Sequence, residues 1–291
     1  MPFHFKKTEA AGQAVRRVYR ERIEAALVRL RKGDGPAEVH GVRKEIKKLR
    51  ALFRLVRGEI RRAIYRKGAK ALRKAAGSLT APRDARVMLR VFKKLVGRDA
   101  RRFAGIEQAL QSNWRQATRR FRKQDSIAAA KKSLQKINRR RAGLKIKASG
   151  WAAIEPGLQE SYRRGRQACA FARRQPTSEH FHEWRKQVKN FWHQLRLVCP
   201  AWLTAARGLT DRLEHLGQLL GEEHDLDLLK HFVTKHRGKD DVEAVALNRL
   251  IEASQAKHRA AALKLGTRLY AEAPAIICHR LGNYWNDWRG K

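Results

Sequence analysis

The chain has 291 residues and a formal net charge of +40, because 67 Lys and Arg stand against 27 Asp and Glu. Hydrophobic residues make up 43% of the sequence, which is enough to bury a core and excludes a disordered basic tail. A charge of this size destabilises a compact chain through self-repulsion unless a polyanion neutralises it. The composition therefore indicates a polyanionic partner.

The positive charge is concentrated in the first half of the chain. Residues 1–146 carry 43 basic and 11 acidic side chains, a net charge of +32. Residues 147–291 carry 24 basic and 16 acidic side chains, a net charge of +8. We therefore expect the first half to supply most of the positive field.

The cysteines and the hydropathy indicate a cytoplasmic protein. Cys169, Cys199 and Cys278 lie far apart without a CxxC pair, which argues against a disulfide framework or a zinc site and fits a reducing compartment. The N-terminus lacks the apolar stretch of a secretory signal. No apolar run approaches the roughly 18 residues that a membrane span needs.

The hydrophobic pattern predicts an all-α fold. Apolar residues recur with the helical period in nearly every segment, and strong helix formers dominate the composition. Turn residues such as Gly33-Asp34-Gly35-Pro36 and Thr80-Ala81-Pro82 separate the segments. The predicted helices are 9–31, 38–57, 59–76, 82–96, 98–123, 127–145, 152–174, 179–198, 202–221, 224–237, 242–271 and 275–288.

Two stretches of the sequence repeat each other. Residues 39–56 (VHGVRKEIKKLRALFRLV) and 181–198 (FHEWRKQVKNFWHQLRLV) align without a gap at a shift of 142 residues. A second pair of stretches, 72–88 and 213–229, aligns at a shift of 141. Two matched pairs in the same order predict a duplicated helical unit, with a join near Lys145–Gly150.

Each copy of the first stretch predicts a helix with one apolar and one basic face. A helical projection places Val42, Ile46, Leu49, Leu52, Phe53 and Val56, and in the second copy Trp184, Val188, Phe191, Leu195 and Val198, on the apolar faces. The opposite faces hold His40, Arg43, Lys44, Lys47, Arg50 and Arg54, and His182, Arg185, Lys186, Lys189, His193 and Arg196. Like charges at these spacings destabilise a helix. A single-sign band is therefore more typical of a track for phosphates than of a solvated face, which mixes signs.

Two other groups of residues can be explained by structural roles alone. His40 and His182 stand at the start of their helices, where capping or a core-edge position explains them as well as binding does. The acidic run Glu222-Glu223-His224-Asp225 with Asp227 does not have the spacing of a metal site. We interpret it as carboxylates near a helix start that interact with the backbone or with basic neighbours.

The motifs together resemble the CHAD family, the histidine-containing α-helical domain, over nearly the whole chain. The second half carries Tyr162-Arg163-Arg164-Gly165-Arg166, Pro176-Thr177 leading into His182-Glu183-Trp184-Arg185-Lys186, Leu216-Gly217 running to His224-Asp225-Leu226-Asp227, Arg268-Leu269-Tyr270-Ala271-Glu272 and Tyr284-Trp285. The first half carries His40-x-x-Arg43-Lys44, Tyr65-Arg66 and Pro82-Arg83-Asp84-Ala85.

The resemblance implies two pseudo-symmetric four-helix-bundle repeats, residues 1–146 and 147–291, around a basic central groove. It also implies binding of inorganic polyphosphate, association with cytoplasmic polyphosphate granules, no catalysis, no cofactor and no metal. Family members often follow a triphosphate-tunnel domain. The first predicted helix starts within about ten residues of Met1, so we expect a stand-alone member.

The polyphosphate-binding set implied by the resemblance comprises the two basic bands and four further arginines. Arg163 and Arg166 belong to the Tyr-Arg-Arg-Gly-Arg motif, and Arg20 is a counterpart of Arg163 in a first-half helix that reads Tyr19-Arg20-Glu21-Arg22. Arg83 is the fourth. The basic connector at 131–147, which includes Lys131, Lys136, Arg140, Arg141 and Lys145, has no role that the family defines.

Two other functions remain open. An architectural DNA- or RNA-binding protein, or a general polyanion binder, fits the connector and Trp114 among Arg115, Arg119 and Arg120. However, no nucleic-acid-binding motif or row of aromatic residues for base stacking is found. A polyphosphate hydrolase is the third class, but its metals need carboxylates that the basic faces lack.

Overall fold

The structure is a computed structural model that describes residues 3–139, 143–198, 207–238 and 241–290. These residues contain no β-strand, so the all-α prediction is confirmed. The helices are α1 (Ala11–Lys32), α2 (Pro36–Leu55), α3 (Arg62–Ser78), α4 (Ala81–Val96), α5 (Ala104–Lys123), α6 (Ser126–Asn138), α7 (Glu155–Arg174), α8 (Ser178–Val198), α9 (Arg207–Arg237), α10 (Val242–Leu269) and α11 (Pro274–Arg289). Gly97–Phe103 and Gly150–Ala153 form 3-10 turns.

Local chemistry explains where several helices begin and end. Proline occupies the first turn of α2, α4, α7 and α11, where its missing N–H costs no helical hydrogen bond. The carboxylates of Asp125 and Asp241 accept hydrogen bonds from the first turns of α6 and α10. Gly97 ends α4 with a φ of 51°, a left-handed backbone that glycine adopts without strain.

Four predicted helices differ from the structure. The predicted helices 202–221 and 224–237 belong, from Arg207 onward, to one helix, α9, which runs through Gly221 without a break, while residues 202–206 lie outside the described residues. The helix predicted over 127–145 ends at Asn138, and residues 144–149 are non-helical. The start of the segment predicted at 98–123 is a 3-10 turn before α5.

The two halves pack against each other through matching helices. Within the first half α1 packs on α2, and within the second half α7 packs on α8. Between the halves, α2 contacts α8 and α4 contacts α9. The two helices that carry the predicted basic bands therefore meet at the contact between the halves.

Buried side chains form two clusters. The larger one runs through both halves and includes Ile46 and Leu49 of α2 and Trp184 and Phe191 of α8. The smaller one joins α4 and α5 to the adjoining parts of α9 and α10. Both clusters therefore include side chains from each half.

Two matched tyrosines tie the first helix of each half to a later helix end. The hydroxyl of Tyr19 in α1 donates to the carbonyl oxygen of Ile137 at 2.7 Å. The hydroxyl of Tyr162 in α7 donates to the carbonyl oxygens of Leu269 at 3.1 Å and Glu272 at 3.0 Å. The tyrosine of the Tyr-Arg motif is thus a structural anchor in both halves.

No helix in the described part of the chain is long and apolar enough to cross a membrane.

Candidate functional site

The apolar and basic faces of α2 and α8 lie where the sequence predicted them, with one exception. All of the predicted apolar residues of both helices are buried. His40, Lys44, Lys47, Lys186 and Arg196 are exposed, whereas six others are half-buried. These are Arg43, Arg50, Arg54, His182, Arg185 and Lys189. The exception is His193, described below.

Arg43 of α2 is held by the turn between α3 and α4. Its Nη1 donates to the hydroxyl of Thr80 at 2.6 Å and to the carbonyl oxygen of Ala76 at 3.2 Å. The same hydroxyl donates to the Ala76 carbonyl at 2.9 Å. These contacts fix the guanidinium near the N-terminus of α4.

Arg185 and Lys189 of α8 lie along α9 where that helix has glycines. A Cβ atom on Gly217 would lie 2.8 Å from both Cε and Nζ of Lys189. A Cβ atom on Gly221 would lie 3.6 Å from Nε of Arg185. The glycine at 217 therefore lets a long cationic side chain lie against the helix surface, a role that the sequence pattern did not indicate.

Five cations from the three helices α2, α4 and α8 come together beside these glycines of α9. We call them the central cationic cluster. Its members are Arg43, Lys47, Arg83, Arg185 and Lys189. Desolvation by the surrounding protein, followed by the positive charges of Arg185, Arg43, Arg83 and Lys189, lowers the pKa of Lys47 to about 7. Solvent still reaches Lys47. The lysine therefore lies in a crowded but open position, among charges of its own sign.

Arg185 and Lys189 share this unfavourable environment. Burial lowers the pKa of both side chains, and for Lys189 the charge of Arg185 lowers it further. Nε of Arg185 is buried without a hydrogen-bond partner among the described residues. A buried donor left unsatisfied costs free energy. An acceptor that entered the cluster would remove that cost.

Arg83 connects the two halves across the cluster. Its guanidinium donates to the carboxylate of Asp84 at 2.8 Å and to that of Asp225 in α9 at 3.4 Å. Arg90 approaches the second oxygen of Asp225 at 3.8 Å. The two aspartates thus orient Arg83 and only partly offset the positive charge of the cluster.

The predicted histidines lie at the edge of the cluster. Burial, then Lys44, Lys47, Arg83 and Arg43, lowers the pKa of His40. Burial, then Lys186 and Arg185, lowers the pKa of His182. Nδ1 of His182 lies 3.0 Å from Nδ1 of His224 in α9. Neither histidine caps its helix through a hydrogen bond in the described residues, so the capping interpretation has no support here.

The expectation that His193 faces outward is wrong. Only 6% of its surface is exposed, and its ring packs edge-on against Phe3. The N-terminal segment covers this part of α8, where the backbone N–H of Phe5 donates to the carbonyl oxygen of Leu197 at 2.8 Å. Burial and the charges of Lys47 and Lys189 lower the pKa of His193 to about 3. The aligned residue of the first copy is Ala51, which is also buried. An alanine at the matching position was the sign in the sequence that His193 faces the core.

The outer parts of the two bands flank the cluster. Burial and then the charges of Arg54 and Arg73 lower the pKa of Arg50. Arg196 and Lys189 both lie over the ring of Trp192, 4.8 and 4.9 Å from its centroid. These cation–π contacts position the two cations, a role of Trp192 that the sequence pattern did not indicate.

Three predicted arginines have no contact with the central cationic cluster among the described residues. Arg163 is exposed and pairs with Glu160, whose carboxylate it meets at 2.7 Å. Arg166 lines a groove between α7 and α10. Arg20 lines a different groove beside α1. The structure therefore does not bring these three together with the two bands.

The acidic run in α9 has structural partners. The buried carboxylate of Glu223 accepts hydrogen bonds from Arg259 at 2.6 and 3.0 Å, and Arg259 also donates to Ser178 at 2.8 Å. Pairing with basic neighbours was predicted, but the position near a helix start was wrong, since α9 is continuous. The described residues contain no group of three or more His, Cys, Asp and Glu side chains arranged to hold a metal.

The connector and the cysteines also have defined places. Glu59 accepts hydrogen bonds from the backbone N–H groups of Lys147 at 3.0 Å and Ala148 at 2.9 Å, which fixes the end of the connector. Arg140 and Arg141 lie outside the described residues. Cys169 and Cys278 are buried free thiols, and Cys199 lies outside the described residues.

Comparisons with known proteins agree with this architecture. The family model described as "CHAD domain" matches residues 14–234, which is more than half of the chain. The crystal structure of the CHAD domain from the plant Ricinus communis superimposes with a TM-score of 0.61 at 17% identity, covering 94% of this chain and 98% of that chain. No curated protein matches the sequence. At this identity the structural match concerns the fold alone, and the family model adds the sequence evidence. This chain belongs to the CHAD domain family.

Proposed function

We propose that this protein binds inorganic polyphosphate through the central cationic cluster and the exposed cations beside it on α2 and α8. Lys47 is the observation that supports this most directly. The fold lowers its pKa to about 7 and surrounds it with four positive charges. Such an arrangement lowers the stability of the folded protein, and a bound polyanion would offset that loss.

The arrangement fits a polymer better than a single phosphate. The cations of α2 from Arg43 to Arg54 extend over about 16 Å along the helix axis. Those of α8 lie next to them, because the two helices are in contact. A chain of phosphates can contact many of these groups at once, so that weak contacts add up and counterions are released.

We also propose that the protein binds polyphosphate without catalysis. Three carboxylates beside Arg185 pair with arginines: Asp84 and Asp225 meet Arg83, and Glu223 meets Arg259. Metal-assisted phosphoryl chemistry uses carboxylates that hold divalent cations. Because these three carboxylates pair with arginines, they support a binding module that targets or organises polyphosphate. We propose cytoplasmic polyphosphate granules as its place of action.

A competition titration tests the choice of ligand. Labelled long-chain polyphosphate is bound at about physiological salt and challenged with duplex DNA, RNA and short phosphates. Retention of polyphosphate against an excess of nucleic-acid charge supports the proposal. Displacement charge for charge would identify a general polyanion binder or a nucleic-acid-binding protein instead.

A charge-reversal variant tests the location of the site. Changing Arg43, Lys47, Arg185 and Lys189 to Glu should abolish binding while helicity measured by circular dichroism is retained. The control variant changes four exposed cations that have no ion pair with a described residue, namely Lys235, Arg249, Lys257 and Lys264. Equal affinities of the two variants would rule out the central cationic cluster as the site.

A further inference from the structure

Helix α3 presents an exposed basic surface that contains no acidic residue. Its 17 residues include six Lys and Arg and neither Asp nor Glu. Arg62, Arg66, Lys70 and Arg73 recur at spacings of four, four and three residues, so they lie on one side of the helix. All four are exposed, and none has an ion pair with a described residue. We call this set the α3 stripe.

The α3 stripe begins next to the basic band of α2. The two helices pack together, with the rings of Phe53 and Tyr65 6.5 Å apart. Arg43 reaches the C-terminal end of α3 through the carbonyl oxygen of Ala76. Between these points Arg73 lies close enough to Arg50 for its positive charge to lower the pKa of Arg50. A phosphate chain that leaves the central cationic cluster along α2 therefore meets α3 next.

The second half does not repeat this surface. The shift of 141 residues matches α3 to the first part of α9. The counterparts of Lys70 and Arg73 in α9 are Asp211 and Glu214, so two cations of the stripe are replaced by acids. Helix α6, which packs beside α3, also contains no acidic residue. Six cations of the first half thus lie on α3, outside the cluster, on a helix without an acidic residue.

We propose that a polyphosphate chain too long for the central cationic cluster continues from Arg50 and Arg54 onto the α3 stripe, which gives the protein a preference for long chains. This inference rests on the proposed function. Repulsion along α3 destabilises the helix unless an anion is bound. Tyr65 is half-buried with Arg57 over its ring at 5.2 Å, so the surface offers no free aromatic ring for base stacking. That favours a bare phosphate chain over a single-stranded nucleic acid.

The test compares two ligands on two variants of equal charge. One variant changes Arg62, Arg66, Lys70 and Arg73 to Gln, which keeps helix propensity and removes charge. The control changes Lys235, Arg249, Lys257 and Lys264 to Gln. The ligands are long-chain polyphosphate and an oligophosphate that extends over only about 16 Å, the length of the α2 band.

The stripe variant should bind the oligophosphate as the unchanged protein does. Its affinity for long-chain polyphosphate should fall by at least about tenfold, and the slope of log affinity against log salt should fall by about 3, since each single-strand phosphate contact contributes about 0.7. The control should show neither change. A further variant, in which Arg62, Arg66 and Arg73 are changed to Lys instead of Gln, should keep most of the affinity for long-chain polyphosphate, because the charge remains.

Three results would overturn the inference. The first is a long-chain affinity that falls no more than in the control. The second is equal loss for both ligands, which would place the stripe inside the primary site. The third is a loss of duplex DNA binding with polyphosphate binding intact, which would assign the stripe to nucleic acid. If the unchanged protein binds neither phosphate polymer, the proposed function itself fails.

Discussion

The Nδ1 atoms of His182 and His224 lie 3.0 Å apart, with ring centroids separated by 4.3 Å. This distance fits a hydrogen bond from one imidazole to the lone pair of the other, which requires at least one neutral ring. Burial, followed by the charges of Arg185 and His182, lowers the pKa of His224 to about 3. The aligned residue of the first half is Arg83. The aligned position thus holds a permanent cation in one half and a neutral histidine in the other.

The low pKa of His224 predicts acid sensitivity of the fold. In the unfolded chain this histidine titrates near 6.5, so between about pH 6.5 and 3 the unfolded state binds more protons than the native state. The free energy of unfolding therefore decreases as pH falls through this window, by at most about 1.4 kcal/mol per pH unit for one group. Replacing His224 by Gln should reduce the loss between pH 7 and 5, measured by urea unfolding. The exposed His231 on the same helix, changed to Gln, is the control. Identical pH profiles for the two variants would contradict the prediction.

Lys47 is expected to destabilise the free protein. The pKa of Lys47 is about 7 in the fold and 10.5 in the unfolded chain. Between these two pH values the unfolded state therefore binds more protons than the native state. Stability therefore rises with pH in that window, and the full penalty is present below about pH 7. Replacing Lys47 by Met should raise the free energy of unfolding at pH 7 by about 1 kcal/mol, a modest figure because water still reaches the side chain.

The same substitution should weaken polyphosphate binding, so that stability and affinity change in opposite directions. The stability gain should shrink as pH approaches 10. Lys257, which is exposed on α10, changed to Met is the control for both measurements. A Lys47→Met variant that is less stable than the unchanged protein at pH 7 would show that the lysine is not under strain.

Polyphosphate binding should be accompanied by proton uptake. The pKa of Lys47, lowered to about 7, brings its loss of charge close to neutral pH, and a bound polyanion favours the charged form. Titration calorimetry in buffers of different ionisation enthalpy should detect this uptake, and affinity should rise as pH falls from 8 to 6. In the Lys47→Arg variant the side chain stays charged. That variant should bind polyphosphate with less proton uptake and a flatter pH dependence, and unchanged uptake would exclude Lys47 as its source.

Gly217 should matter for binding more than for stability. A Cβ atom at this position would lie 2.8 Å from the end of Lys189, so the lysine must move in the Gly217→Ala variant. Alanine also strengthens the helix by about 1 kcal/mol, so the melting temperature should not fall. The expected result is a several-fold loss of polyphosphate affinity in a stable protein. Gly221→Ala is the matched control, because its Cβ atom meets Arg185 only at an ordinary 3.6 Å. Equal affinities of the two variants would contradict the role assigned to Gly217.

Several features of the molecule could be predicted because they depend on neighbours along the chain. The apolar faces of α2 and α8 followed from the helical period, and every one of those residues is buried. The two predicted faces failed only at His193, where a segment distant in the sequence, around Phe3, covers the helix. The predicted break near Gly221 was wrong, since this glycine lies inside the continuous helix α9, where it adjoins Arg185.

The sequence by itself determined the all-α class, the two amphipathic basic helices and the excess of cations, since periodicity and composition are local properties. Only the tertiary structure decided which cations act together. Packing of α2 on α8 and of α4 on α9 brings Arg83 and Lys47 to Arg185, while Arg163 lies elsewhere beside Glu160. The reason is physical: the energy of a charge depends on the distance to other charges and on access to water, and both are set by the packing of distant helices.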